Sequence, residues 1–361
     1  MTILHPMRLT ATTRTLVFGG HAIAEHLGKT GIPDWNIAET WECSDVETSQ
    51  TTVADGPLAG HTLRRLLAAH PRELMGPDWT GDRFPILTKF IDATGTLPVH
   101  LHADDHTARR LEAQPNGKTE AWHILDARPG ATALCGVTRG IDAARLRAAL
   151  EAQDFDAVLR RLPVRPGETL YVPGGTLHSF GPGTLVYEIE QTSDIQQHAM
   201  RWNMTDGSAV PDAEFTANLD MLMREVDLDL RPEPTPGLKI TLGDGVDRLF
   251  LCAGPHFALE RWRAGTTAPF RHTFHTAQIL TNVGATVHVT TPNRSTRLAP
   301  AQTLLVPASC AELEIAGPAD VLCGYLPDLA RDVAAPLVAA GYPPHLIATL
   351  GEGLHGDTPS R

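Results

Sequence analysis

Apolar positions recur at helical spacing in only four parts of the chain. Residues 61–73 (HTLRRLLAAHPRE) set leucines against basic residues at helical intervals, with Pro71 as a break. Residues 141–161 form the clearest amphipathic run and predict two helices bent near Asp154. Residues 214–226 predict a third helical segment, and 329–350 a last one interrupted by Pro343 and Pro344. The rest reads as strand. Short runs rich in β-branched and aromatic residues lie at 133–138, 168–172, 184–190, 238–242, 248–252 and 257–262. Others follow at 278–281, 286–290, 303–306, 312–315 and 321–325. Many short strands punctuated by Gly, Pro and Asp predict a mainly β chain built of sandwiches or jelly-roll barrels with a few appended helices. The segment RPEPTPG (231–237) reads as a linker between a long first part and a purely β second part.

Composition sets the outer limits. At 361 residues the chain is long enough for two domains. With 42% hydrophobic and 20% charged residues it is not a disordered protein. No apolar run approaches the roughly 18 residues a membrane helix needs, and the start (MTILHPMRLTATTRT) lacks a basic segment followed by an apolar one. A cytoplasmic location without a signal peptide is the expectation. A net charge of −12 argues against duplex nucleic acid as a partner, though not against a small anionic substrate. The five scattered cysteines contain no C-x-x-C pair and read as free thiols. Histidine, at 17, is abundant enough to justify a search for metal-ligand spacing.

That search finds one constellation. His100 and His102 are two apart, so on a strand both imidazoles share a face. Glu120 follows in GKTE, and His178 in YVPGGTLHSF, where a strand ends, turns through two glycines and re-enters. A β-barrel would bring these residues side by side as three imidazoles and one carboxylate, a donor set for a divalent metal. His272 and His275 (RHTFH) are spaced like a pair on a helix but lack a carboxylate and a third ligand, so the second part is expected to be structural.

H-x-H, then Glu, then P-G-x-x-x-H resembles the two motifs of the cupin superfamily. Over about residues 15–325 the chain is more closely similar to the short bacterial class I (cupin-type) mannose-6-phosphate isomerases. The matching words are FGG (18–20), AETWE (38–42), FPILTKFIDA (84–93), VHLHADD (99–105), GKTEAW (117–122), VPGGTLH (172–178) and EIEQTSD (188–194). The resemblance implies a catalytic cupin domain over 1–230 with a helical insertion at about 141–161. It also implies a second cupin-like domain over 237–326; the C-terminal helical tail at 327–361 has no counterpart in the family and reads as a docking helix or an oligomer contact. It implies a divalent metal on His100, His102, Glu120 and His178: Zn²⁺ first, with Mn, Fe or Ni as alternatives. It implies an aldose–ketose isomerisation of a sugar or sugar phosphate through an enediol. Four pocket positions depart from the family pattern. His100 replaces a glutamine ligand, Pro98 a phosphate-holding serine and Glu190 a glutamine. His198 stands where the family has an arginine, with Arg201 three residues on.

The chemistry needs a Lewis acid or donors where negative charge develops, and one base that moves a proton between C1 and C2. Lys118, two residues before Glu120, is a candidate donor, or a base if its pKa is lowered. Glu190 and His198 are the other candidates for proton transfer. Lys89 and Arg201 are the substrate-binding candidates, Lys89 alternatively capping a strand end. Two other readings stay open: a cupin metalloenzyme on an unphosphorylated or keto-sugar (isomerase, epimerase or lyase), and a sugar-binding cupin without turnover.

Overall fold

The computed structural model describes residues 4–265 and 269–354. Strand dominates, arranged in sheets of eight, six, five and four strands whose paired neighbours all run antiparallel. The six-stranded sheet runs in the order Thr169–Val172, Glu120–Ala127, Thr184–Gln191, Ile86–Ala93, Glu39–Cys43, Thr12–Arg14. The five-stranded sheet runs Gln197–His198, His100–Leu101, His178–Phe180, Thr132–Val137, Leu159–Pro163.

These two sheets pack face to face. Trp122, Ile124, Ile91 and Val186 from the first meet Ala133, Cys135 and Phe180 from the second. The opposite face of the six-stranded sheet (Phe90, Tyr187, Ile189) packs on Leu259, Ile279, Leu305 and Leu322 of the eight-stranded sheet. That sheet in turn covers the four-stranded one through Trp262, Leu280, Val289 and Ile315. The chain is thus a stack of sheets, and the six-stranded sheet is buried on both faces. Every residue of Ile86–Ala93 and of Thr184–Gln191 is buried. Such strands lack the alternation that marks a half-exposed strand, which is why 86–93 does not declare itself as strand in the sequence.

The sheets do not close into the expected barrels. The Thr169–Val172 edge is covered instead by the 231–237 segment. Thr169 donates its N–H to the Thr235 carbonyl at 2.8 Å, and Thr235 returns the contact at 2.9 Å. A covered edge cannot pair further. The first strand, Met7–Thr10, pairs with Thr303–Val306, so the start of the chain lies in the eight-stranded sheet.

The four stretches read as helical from the sequence hold with one correction, and two further helical segments, Ala22–Glu25 and Asp105–Glu112, lie outside them. Leu63–Ala69 begins at Thr62, whose hydroxyl accepts from Arg65 N, and Pro71–Met75 follows after the break. Ala143–Glu151 is capped by Asp142, and Asp212–Glu225 packs beside it on the outer face of the five-stranded sheet through Leu146, Leu150, Phe215 and Leu219. The second helix expected in 141–161 is reduced to one short turn, Phe155–Ala157. Gln153 takes φ +59, which ends the helix, and Leu159–Pro163 is an edge strand paired with Thr132–Val137. Arg160 and Leu162 are half-buried while Arg161 and Pro163 are exposed, so a few residues alternating as a strand read falsely as a continued amphipathic helix. The tail makes short helical turns between Leu329 and Leu350 that bury Leu337 and Ile347 in the second half; residues 355–361 lie outside the described residues. All five cysteines are buried and free, and no described helix is long and apolar enough to cross a membrane.

Two glycines hold the turn after His102. A Cβ on Gly174 would lie 2.6 Å from Asp104 Cα and 2.7 Å from its N, both rigid backbone atoms. Gly175 takes φ +91 and donates its N–H to the His102 carbonyl at 2.6 Å. Gly174→Ala is expected to destabilise the protein by about 2 kcal/mol, because the crowded atoms have nowhere to move. Denaturant unfolding checks this, and an unchanged midpoint contradicts it.

Candidate metal centre

Strand register brings the three histidines together. His178 lies opposite His100 across the ladder between their strands, and His198 lies opposite His100 on the other side. His102 follows Leu101 out of the strand and turns its ring to the same place, 4.8 Å from His100 and 5.0 Å from His178, centroid to centroid. Glu120 opens its strand on the facing sheet, opposite Glu190 and Val172.

Each imidazole is held by its Nδ1. His100 donates to the Pro98 carbonyl at 2.8 Å, His102 to Ile195 at 2.7 Å and His178 to Thr176 at 2.7 Å. A backbone carbonyl can only accept, so Nδ1 carries the proton and Nε2 is left as a bare lone pair. Those lone pairs face one another: His178 Nε2 and His100 Nε2 are 3.1 Å apart. Glu120 adds two more acceptors, with Oε2 at 3.0 Å from His102 Nε2 and Oε1 at 3.2 Å from His178 Nε2. Acceptors crowded to this distance repel unless a cation sits among them. Donors about 2.0–2.1 Å from a tetrahedral ion lie about 3.4 Å apart, close to the spacing seen here. The residues therefore fit a divalent metal.

Burial reinforces this. It pushes the pKa of His100 well below the usual imidazole value and, with Lys118 adding to it, that of His102 down to about 3. Both are neutral ligands in waiting. Burial works against the Glu120 carboxylate, but Lys118 above all, followed by the histidines, holds its pKa well below the usual range. Trp122 Nε1 donates to Glu120 Oε1 at 2.8 Å and fixes the carboxylate plane.

Behind the ligands lies a buried array of charges. Lys118 Nζ contacts Glu120 at 3.1 Å, Glu190 at 3.0 Å and His102 Nε2 at 3.1 Å. Lys89 Nζ contacts Glu188 at 3.0 Å and Glu190 at 2.9 Å. Carboxylate oxygens of Glu120, Glu188 and Glu190 all lie within 4.8 Å of one another. Burial alone would lower both lysine pKa values, but the neighbouring carboxylates outweigh it and raise them. Lys118 is thus a cationic donor; the lowered pKa that a base would need is not what its surroundings produce. Burial drives the Glu190 pKa well above the usual range, against the pull of both lysines. Lys89 sits in mid-strand, opposite Glu188 in register, and caps no strand end.

A cleft of about 270 Å³ opens onto this array, lined by Arg14, Trp41, Lys89, His100, Lys118 and His198 among others. His198 Nε2 is buried without a hydrogen-bond partner. Burial, with Lys118 adding to it, lowers its pKa to about 4. The structure therefore gathers Lys89, His100, His102, Lys118, Glu120, His178, Glu190 and His198. It leaves out Arg201, which is exposed, pairs with Asp212 at 2.9 Å and stacks on Phe215. Sequence reasoning missed Arg14, Glu39 and Trp41, which arrive from strands distant in the chain. Only the AETWE word hinted at the last two.

Another cleft, about 350 Å³, lies in the second half around Trp262 and His272. The expected helical pair His272 and His275 is not helical. His272 is on the Phe270–Thr273 strand, stacked near Trp262 and Phe274, and His275 lies beyond the strand's end. Neither belongs to a cluster of potential metal ligands among the described residues.

Comparison with known proteins finds relatives in both sequence and fold. Residues 7–122 match the family model of the phosphomannose isomerase type I catalytic domain. The chain is 36% identical over 190 residues to the mannose-6-phosphate isomerase ManA of Bacillus subtilis, covering 53% of this chain and 59% of that one. It is 29% identical over 269 residues to the mannose-6-phosphate isomerase of Streptococcus mutans, covering 74% and 82%. The fold superposes on the crystal structure of the mannose 6-phosphate isomerase from Bacillus subtilis with a TM-score of 0.79 at 26% identity, covering 89% of this chain and 99% of that one. In sequence the chain spans 59–64% of the length of its curated Bacillus relatives.

The neutral state of His198 has a pH signature. Its folded pKa, about 4, lies below the usual 6.5, so between those values the unfolded chain binds a proton that the folded chain refuses. The stability this imidazole contributes is complete above about 6.5 and is lost as pH falls towards 4. In metal-free protein, the stability difference between wild type and His198→Gln should shift against wild type on acidification through that window. Denaturant titrations at several pH values check it, and a difference that stays flat contradicts the buried neutral imidazole.

Proposed function

We propose that this chain, a relative of the type I phosphomannose isomerases, is a metal-dependent aldose–ketose isomerase of the mannose 6-phosphate type. It moves a proton between C1 and C2 of a sugar phosphate through an enediol. The observation that carries the reading is the inward convergence of three imidazole lone pairs and a buried carboxylate, spaced as ligands of one ion. His100, His102, Glu120 and His178 would hold the ion, and three nitrogens with one oxygen suit Zn²⁺ first, with Mn, Fe or Ni as alternatives. Bound there, it supplies Lewis-acid stabilisation of the charge that develops on the sugar oxygens.

The chain's own residues divide the remaining work. Lys118 stays protonated between Glu120 and Glu190 and donates to the developing oxyanion. His198 is neutral, lines the cleft and has a free Nε2, so it takes the proton from one carbon and returns it to the next. Glu190 bridges Lys89 and Lys118 and holds both ammonium groups in place. The catalytic part is residues 1–230, the second β part 237–326 is structural, and the described residues 327–354 of the tail dock on that second part. A second reading, an unphosphorylated sugar, draws on one observation: Lys89 pairs with Glu188 and Lys118 with Glu120, with Glu190 shared between them, so neither offers a free charge to a phosphate.

In deuterated solvent, metal-loaded protein should exchange the C1 or C2 proton of mannose 6-phosphate or fructose 6-phosphate, followed by proton NMR. Absence of both exchange and interconversion contradicts the isomerase. His178→Ala should lose the metal by elemental analysis. Lys118→Ala should keep the metal and lose about 100-fold or more in kcat. Undiminished kcat would remove Lys118 from the mechanism.

A further inference from the structure

The cleft is lined by three cations, Arg14, Lys89 and Lys118, and they are not equivalent. Lys89 and Lys118 are each locked between two carboxylates. Pro98, on the same wall, has no N–H to offer, and Arg201 points elsewhere, onto Asp212. Arg14 alone is uncommitted among the described residues. It lies opposite Glu39 in strand register, yet no ion pair joins them; Glu39 Oε2 accepts instead from Trp41 Nε1 at 2.7 Å. The Arg14 guanidinium carbon rests 4.6 Å from the centroid of the Trp41 ring, and Lys89 Nζ lies at the same distance from that ring. Contact with an aromatic face supports the flat guanidinium while leaving its N–H edge free. Its Nη2 is buried and has no hydrogen-bond partner. A charged donor shut away from water without an acceptor is costly, and it is relieved only when a ligand brings an oxygen.

We propose that Arg14 binds the anionic end of the substrate, the phosphate of the sugar, through its free guanidinium edge. The two-pronged geometry of guanidinium and phosphate oxygens suits this contact. Glu39 and Asp194 line the same cleft, so without Arg14 that wall would repel a phosphate. Arg14 therefore sets the preference for a phosphorylated over a free sugar. The inference rests on the isomerase reading for the identity of the sugar.

The test compares wild type, Arg14→Ala and Arg14→Lys, all loaded with metal and checked for equal metal content. Turnover of mannose 6-phosphate and of mannose is measured, together with binding of fructose 6-phosphate by calorimetry. Arg14→Ala should raise KM for the phosphorylated sugar by about 10-fold or more relative to its effect on the free sugar, with kcat changed less. Arg14→Lys, which keeps the charge and loses the fork, should recover part of the loss. Equal effects on both sugars, or an unchanged KM, overturn the inference while leaving the isomerase intact. Binding of fructose 6-phosphate that Arg14→Ala abolishes, in a protein that turns over neither sugar, supports Arg14 and overturns the isomerase. Fructose 6-phosphate that fails to bind wild type overturns the inference.

Discussion

Everything at the site depends on three backbone carbonyls, those of Pro98, Thr176 and Ile195. Each accepts the Nδ1 proton of one histidine and so dictates that its Nε2 faces inward as a lone pair. The carbonyls are themselves fixed by the chain. Pro98 and Thr176 each stand two residues before their histidine, and the ladder that sets His178 against His100 places those rings together. The glycine pair after Pro173 lets the backbone approach the turn beyond His102 closely enough to complete the set. Lys118 answers the His102 lone pair and Glu120, but the facing Nε2 atoms of His100 and His178, 3.1 Å apart, call for a further cation between them.

The contrast with the second half makes the point sharper. There Glu260 is as buried as Glu120 and also lies two residues before a tryptophan that donates to it. Its remaining capacity is filled by the chain itself, with Arg248 in a two-pronged contact and Tyr325 donating from the far side. Glu120 has the Lys118 ammonium at 3.1 Å in place of an arginine, and it also faces the lone pairs of His102 and His178. One half surrounds its buried carboxylate with donors alone, and the other sets it against two acceptors as well, as a ligand of an ion would be set. In the same low-dielectric layer, Lys89 and Lys118 interleave with Glu188 and Glu190, so the charge behind the site is nearly balanced. A balanced interior leaves discrimination between charged and neutral substrates to the rim, where Arg14 lies.

Much of this was legible in the sequence because the candidate metal ligands follow local rules. H-x-H on a strand edge and His178 after a Pro-Gly-Gly turn report their geometry through spacing alone. The short strands of the second half are rich in apolar and β-branched residues and are bounded by turn residues, and most fall within two residues of the runs that the sequence marks. What failed to show had a physical cause in each case. The strand Ile86–Ala93 is covered on both faces and carries Lys89 and Asp92 inside, so it matches no amphipathic pattern. Leu159–Pro163 was hidden by arginines spaced as on a helix. His272 and His275 suggested a helix because their spacing is ambiguous between helix and strand end. Arg14 and the pairing of Met7–Thr10 with Thr303–Val306 are long-range facts that no local pattern encodes. The closed barrels were over-read, since strand spacing does not say whether a sheet edge pairs or is covered.

The most direct test of the central claim is X-ray absorption at the metal edge of the purified, metal-loaded protein. The account predicts one ion per chain with three imidazole nitrogens and carboxylate or solvent oxygen at about 2.0–2.2 Å, and no sulfur. A first shell containing sulfur, or one without multiple-scattering features from three imidazoles, would contradict it.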